Sequence, residues 1–191
     1  MILMKDILKE GNPILREKCE EIALPLSKDE EKTIQDMIEY LRNSQDEELS
    51  KKYGIRPGVG LAAPQIGINK KMLVILSYDE EGKLHFYPMI NPKLISYSEE
   101  KTYLEGGEGC LSVDRNVKGL VHRAKRVTVE TYLYTENKLL HVRLRLKGYI
   151  AVIFQHEYDH LNGILFVDRI NKNNPFEIVA NSTPIQFKDS E

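Results

Sequence analysis

The stretch QHEYDHLNG, Gln155 to Gly163, sets two of the chain's five histidines four residues apart, with Glu157 directly after the first. Four residues of helix turn through about 400°, so His156 and His160 project from one face with Cβ atoms roughly 5–6 Å apart. Two imidazoles so placed can grip one divalent ion. Glu157 is rotated about 100° from His156, where its carboxylate can reach a water on an open metal position without being a ligand. This is the H-E-x-x-H hydrolase arrangement, in which the metal lowers the pKa of the water and the glutamate takes the proton. An accidental pairing on a polar helix face is the bland alternative. Against it, Ile150, Ile153, Phe154 and Leu161 form an apolar stripe on the other face, which places the pair on the polar side of a core-walled helix.

A third ligand is needed. The pattern H-E-x-x-H-x-x-G-x-x-H begins well, with Gly163 in place, but Phe166 stands where its third histidine belongs. A glutamate on a second helix would have to be Glu177, and Pro175 with the asparagines before it makes a poor helix. Cys110 remains, in EGGEGCLSV, with Gly106, Gly107 and Gly109 letting the backbone there approach other groups closely. A lone cysteine is ordinarily a buried, inert side chain. Cys19, the other cysteine, lies among charges in a stretch that reads as a short helix. One cysteine and two histidines with a water in the fourth place is the economical site, and a thiolate donor suits softer or redox-active metals.

GVGLAAPQIG, Gly58 to Gly67, has no Lys-Ser/Thr for a phosphate loop and no third glycine for a dinucleotide fingerprint. It reads either as a tight turn leading into a buried strand or as a place where Gly58 and Gly60 let an extended peptide pair edge-on. In the second case Gln65 points an amide donor at the site.

The elements that must position these groups follow from periodicity. Asn12 and Pro13 open a helical turn, and Ser27 with Glu30 forms a capping box. Behind that box, Ile34, Met37, Ile38 and Leu41 recur on one helix face. The charged stretch RNSQDEELSKKYG reads as a fraying helix end or an exposed insertion. KKMLVILSY, LHFYPMINPKLISY, RVTVETYLYTE and LLHVRLRLKG read as strands, the last two as a hairpin around TENK. Gly163 stops the histidine helix. ILFVDRI reads as a strand, and the remainder as a loop with a short final strand. The expected class is α+β: a block of mainly antiparallel strands packed around one long helix carrying H-E-x-x-H, with a helical N-terminal region.

The 191 residues, 41% hydrophobic and 29% charged, suit a single catalytic domain over 1–191. A net charge of −2 gives no overall field for nucleic acid or a membrane. The N-terminus lacks the apolar core of a signal peptide, no stretch is long enough to span a bilayer, and two cysteines make no disulfide framework. A cytoplasmic protein is expected.

GVGLAAPQ, EGCLS and QHEYDH, in that order, resemble the three signature motifs of peptide deformylases, and the intervening elements extend the resemblance over essentially the whole chain. The charged insertion and the C-terminus look like the second bacterial subclass. The resemblance implies removal of the N-formyl group from the initiator methionine of nascent chains, releasing formate. It implies Cys110, His156 and His160 as ligands of one divalent ion, Fe(II) first, with nickel, cobalt and zinc as alternatives. Glu157 is then general base and acid, and the Gln65 amide with the Leu111 backbone N–H holds the oxyanion. Helix spacing adds Tyr149, Val152 and Ile153 as a wall for the methionine side chain. Val59 and Gly60 would face the peptide backbone, Gly109 would lie beside the thiolate, and Glu108 would pair with Arg123 to fix the Cys110 loop. Expected partners are nascent formyl-Met peptides and, transiently, the ribosome, with no sequence-specific nucleic acid, no membrane, and a monomeric chain. A zinc endopeptidase built on H-E-x-x-H without Cys110, and a non-catalytic metal-binding module, are the competing readings.

Overall fold

A computed structural model describes residues 1–188; the end of the tail QFKDSE lies outside the described residues. Asn12 caps a 3-10 turn, Pro13–Arg16, accepting from the Ile14 N–H at 3.1 Å. The turn ends there, so Cys19 is not on a helix. It lies in an extended stretch whose Cys19 N–H donates to the Leu161 carbonyl, and its thiol is buried in the core. Both cysteines are free.

Helix α1, Lys28–Gln45, begins with the Ser27–Glu30 box, closed by bonds of 3.3 and 2.8 Å, and buries Ile34, Met37, Tyr40 and Leu41 against the sheet. Of the two readings of the charged stretch, the exposed segment fits and the frayed end does not. Asp46 accepts from the Leu49 N–H and starts a second helix, α2, Glu47–Tyr53, which Gly54 ends in the left-handed conformation. Neither cap depends on tertiary packing, and α2 buries none of its residues.

Strands β1 (Gly60–Ala62), β2 (Met72–Tyr78), β3 (Leu84–Tyr97), β6 (Arg126–Thr135) and β7 (Lys138–Lys147) form an antiparallel sheet in the order β1-β2-β3-β6-β7. The β6–β7 hairpin turns at Glu136 and Asn137, both at positive φ, which matches the twist of the flanking strands. A smaller sheet, β5-β4-β8, joins β5 (Arg123–Ala124) and β8 (Ser182–Pro184) to the two edges of β4 (Lys101–Tyr103), with β8 parallel.

Helix α3, Gly148–His160, packs against both sheets. Ile150, Ile153 and Phe154 are buried as their spacing predicts, with Leu161 just beyond the helix. The opposite face is not a polar surface, however: His156, Glu157, Asp159 and His160 are buried too. A polar face can lie inside only where other elements supply its partners. Those partners come from loops, and so does the cap. Lys147 offers no side-chain cap; instead Glu80, in the β2–β3 turn, accepts from the Tyr149 N–H at 3.0 Å. Gly148 sits at φ +55°, and a Cβ there would meet the Glu80 carboxylate at 1.8 Å.

After α3, ILFVDRI is not a strand. It forms a 3-10 turn, Phe166–Arg169, whose Asp168 carboxylate accepts from the Leu165 N–H at 2.9 Å. Consecutive burial of Leu165 and Phe166 overrides the β-propensity of the run. The short final strand, β8, is where the sequence predicts one.

Candidate metal centre

Helix α3 brings the His156 and His160 rings to 5.2 Å between centroids. Cys110 reaches them from the loop before β5, with its Sγ 3.4 Å from His160 Nε2. One ligand atom from each of the three residues lies within 4.8 Å of the other two, and all three residues are buried. A thiol and two imidazoles so clustered, with no carboxylate among them, fit a borderline-soft divalent ion.

The cysteine loop is pinned on several sides. Lys9 Nζ donates to the Leu111 carbonyl at 2.9 Å, the Glu10 N–H to the Ser112 carbonyl at 2.8 Å, and Arg56 to the Cys110 carbonyl at 3.3 Å. Of the three glycines before Cys110, only Gly107 meets a close neighbour, the Gly119 carbonyl; Gly106 and Gly109 face open space.

Gln65 follows β1 in a 3-10 turn, Ala63–Ile66, and is buried. Its Oε1 accepts from the Ala62 N–H at 2.9 Å, which leaves Nε2 facing Ser112 Oγ at 3.1 Å and Cys110 Sγ at 3.6 Å. The amide therefore presents its donor side to the thiol. β1 is an edge strand of the sheet, so the buried-strand and edge-pairing readings of GVGLAAPQIG are compatible. Gly60 is needed for closeness rather than conformation, since a Cβ there would lie 2.4 Å from Glu157 Oε1.

Glu157 is buried, and its Oε2 has no hydrogen-bond partner among the described residues. Burial lifts its carboxyl to about 7, with His156 opposing the shift and Glu108 adding to it. The two histidines differ sharply. His156 Nδ1 lies 2.7 Å from Glu108 Oε2. Burial pushes the His156 ring down, but hydrogen bonds to Cys110 and Glu108 outweigh it and hold the ring well above the usual histidine value. His160 is pushed well below that value by burial and by His156, and its Nδ1 has no partner among the described residues.

Glu108 in turn takes Arg123 through Nε at 2.8 Å and Nη2 at 2.9 Å. Burial would raise its carboxyl, but Arg123 and His156 hold it down to about 2. Arg123 also reaches Asp159 at 2.6 Å, and Arg169 closes on the same carboxylate with two bonds of 2.6 Å. The Glu108–Arg123 pair was legible in the sequence. Asp159 and Arg169 were not, although Asp159 lies inside the histidine motif.

A cavity of about 80 Å³ is lined by Val59, Leu104, Glu108, Gly109, Tyr149, Val152, Ile153, His156 and Glu157. It shares Val59, Gly109, His156 and Glu157 with a cleft of about 280 Å³ that adds Gly60, Gln65, Cys110 and Leu111. Every site residue named from the sequence thus lines one or the other, except His160, which is the most deeply buried of the three candidate ligands. Leu104 in the small cavity and Gln45 and Arg56 in the cleft were missed, for they carry no motif.

Residues 4–176 match the family model described as polypeptide deformylase. The chain is 52% identical over 186 residues to peptide deformylase 2 of Bacillus cereus, covering 97% of this chain and 100% of that one. A probable peptide deformylase from synechococcus phage S-SSM7 superposes with a TM-score of 0.66 at 38% identity, over 86% of this chain and 98% of the other. A class I type b peptide deformylase from Acinetobacter baumannii, in a structure with Met-Ala-Ser bound, gives 0.67 at 30% identity over 86% and 96%.

Proposed function

The chain belongs to the peptide deformylase family, and on that premise we propose how its own residues carry the reaction. It is a hydrolase that removes the N-formyl group from the N-terminal formylmethionine of newly made polypeptides and releases formate. The observation that carries the assignment of roles is the convergence of a Cys-His-His cluster, an unpartnered buried carboxylate and an oriented amide donor on one cleft.

Cys110, His156 and His160 hold one divalent ion. When bound, that ion polarises the formyl oxygen and lowers the pKa of water beside it. The peptide lies along β1, with Val59 and Gly60 on one side and Gly109 on the other, and the methionine side chain enters the cavity walled by Tyr149, Val152, Ile153 and Leu104. Glu157, lifted to about 7, is matched to taking a proton from the attacking water near neutral pH and returning it to the departing amine. As the formyl oxygen gains charge, Gln65 Nε2 and the Leu111 N–H donate to it; one such donor is worth about 10²–10³ in rate. The products are formate and a free α-amino group.

Fe(II) is put first by the resemblance to peptide deformylases, and the same Cys-His-His donors accept nickel, cobalt and zinc as alternatives. The helical insertion α2 and the strand β8 support the second bacterial subclass. The chain acts as a single catalytic domain over 1–191, as a monomer in the cytoplasm, meeting the ribosome transiently. Among the described residues no helix is long and apolar enough to cross a membrane.

The test is formate release from a formyl-Met tripeptide by protein purified anaerobically with Fe(II), with Glu157→Ala beside it. Release by the wild type and a loss of about 10²–10⁴ in the variant are expected. A metal-loaded Glu157→Ala protein of undiminished rate removes Glu157 from the proposed role.

A further inference from the structure

The 3-10 turn Phe166–Arg169 touches the site from two directions. The Phe166 ring stacks against the His156 imidazole, 5.8 Å between centroids and 22° between planes. Phe166 occupies the position where the longer zinc-protease pattern has its third histidine, so a place that could supply a ligand here supports one. Three residues on, Arg169 grips Asp159 with two bonds of 2.6 Å. From Asp159 the bonds run to Arg123, to Glu108 and to His156 Nδ1, at 2.6, 2.8 and 2.7 Å.

Charges alternate along this line: cation, anion, cation, anion, then the imidazole. Arg123, Asp159 and Glu108 are buried, whereas the Arg169 side chain is 43% exposed and forms the outer end. The turn is itself anchored, since Asp168 both accepts from the Leu165 N–H and pairs with Arg16. Removing Arg169 would leave Asp159 shared by fewer donors, and Arg123 would swing toward it and away from Glu108.

We propose that the turn Phe166–Arg169 is a positioning element of the metal centre, holding His156 by its ring face through Phe166 and by its ring edge through Arg169, Asp159, Arg123 and Glu108. The inference depends on Cys110, His156 and His160 being the ligands, as proposed above. An imidazole fixed on two sides keeps Nε2 aimed at the ion without losing rotational freedom on binding. Outer partners of a ligating histidine typically change metal affinity by about 10–100-fold.

The experiment uses the full chain loaded anaerobically with Co(II), whose visible absorption reports ligand geometry, and follows loss of the ion to excess chelator. Arg169→Gln and Phe166→Leu should each release Co(II) about 10–100-fold faster and alter the absorption bands. Their kcat for a formyl-Met tripeptide should fall with KM unchanged. Arg169→Lys, which keeps the charge, should recover part of the effect. Arg126→Gln, which breaks an exposed pair with Glu100 that is not part of this line, should match the wild type. Urea unfolding of the metal-free proteins separates positioning from stability. Release rates that stay at the wild-type value in folded Arg169→Gln and Phe166→Leu, or that merely follow the urea midpoints, overturn the proposal. A wild type that takes up no Co(II), or a Cys110→Ser variant that holds it equally well, overturns the ligand assignment, and this proposal with it.

Discussion

Helices α1 and α3 are built on opposite principles. α1 carries its own instructions: a serine cap with its reciprocal glutamate, Asp29, Glu30 and Glu31 in the first turn, Arg42 in the last, and one apolar face. Each of these is a short-range effect, and most of its 18 residues meet water. α3 has neither a side-chain cap of its own nor an acidic first turn. It starts on a glycine at positive φ, borrows its cap from Glu80, and buries ten of its 13 residues, four of them polar or ionisable. A helix of the first kind needs from the fold only an apolar surface for its buried face. One of the second kind is stable only where the rest of the fold supplies its counter-charges, and there it can keep a carboxylate near neutrality and two imidazoles unlike each other.

The contrast should appear as a gradient of mutational cost. Arg123→Ala strikes the centre of the α3 network and leaves Glu108 and Asp159 without their shared cation. A loss of about 3–5 kcal/mol in urea unfolding of the metal-free protein is expected. A cost no larger than that of a surface substitution would mean the network is not ionised inside the protein.

Acid should attack the same place. The Glu108 carboxyl lies near 2 when folded, below its ordinary 4.5, so its stabilisation is complete above 4.5 and disappears as the pH falls through about 2. Urea midpoints of the metal-free wild type and of Glu108→Gln should therefore converge over that window. A gap that stays constant with pH contradicts the assignment.

Gly148→Ala tests the borrowed cap. It forces a side chain into left-handed backbone and displaces the Glu80 carboxylate, at an expected cost of about 1–3 kcal/mol in thermal or urea unfolding. Smallest of all, Ser27→Ala removes the local cap of α1 for about 1 kcal/mol, with formate release unchanged. If Ser27→Ala alters activity, α1 is coupled to the site and the two helices are less distinct than they look.

The same division separates what could be read in advance from what could not. The Ser27–Glu30 box, the TENK hairpin and the strand block are legible because each depends on neighbours within a few positions, whereas α3 ends at His160, three residues before Gly163. ILFVDRI reads as a strand but is not one, because its β-propensity is overridden by consecutive burial of Leu165 and Phe166. The helical reading of the Cys19 stretch fails because the turn ends at Arg16, and the polar side of α3 proves to be interior. The sequence points to Glu108 with Arg123 but not to Asp159, Leu104 or Arg169, since no local pattern marks their roles.

What the sequence determined by itself is the pairing of His156 with His160 and the placing of Glu157 beside them. Helical periodicity imposes that arrangement whatever surrounds the helix. Tertiary structure decided how closely Cys110, singled out by elimination in the sequence, approaches them. It brought Cys110 to 3.4 Å from a histidine fifty positions further along, set the Gln65 amide nitrogen against Ser112 Oγ and Cys110 Sγ, and enclosed Glu157 so that burial lifted its carboxyl. Spacing along a helix is a local property. Desolvation and the orientation of a side-chain donor belong to the packed whole.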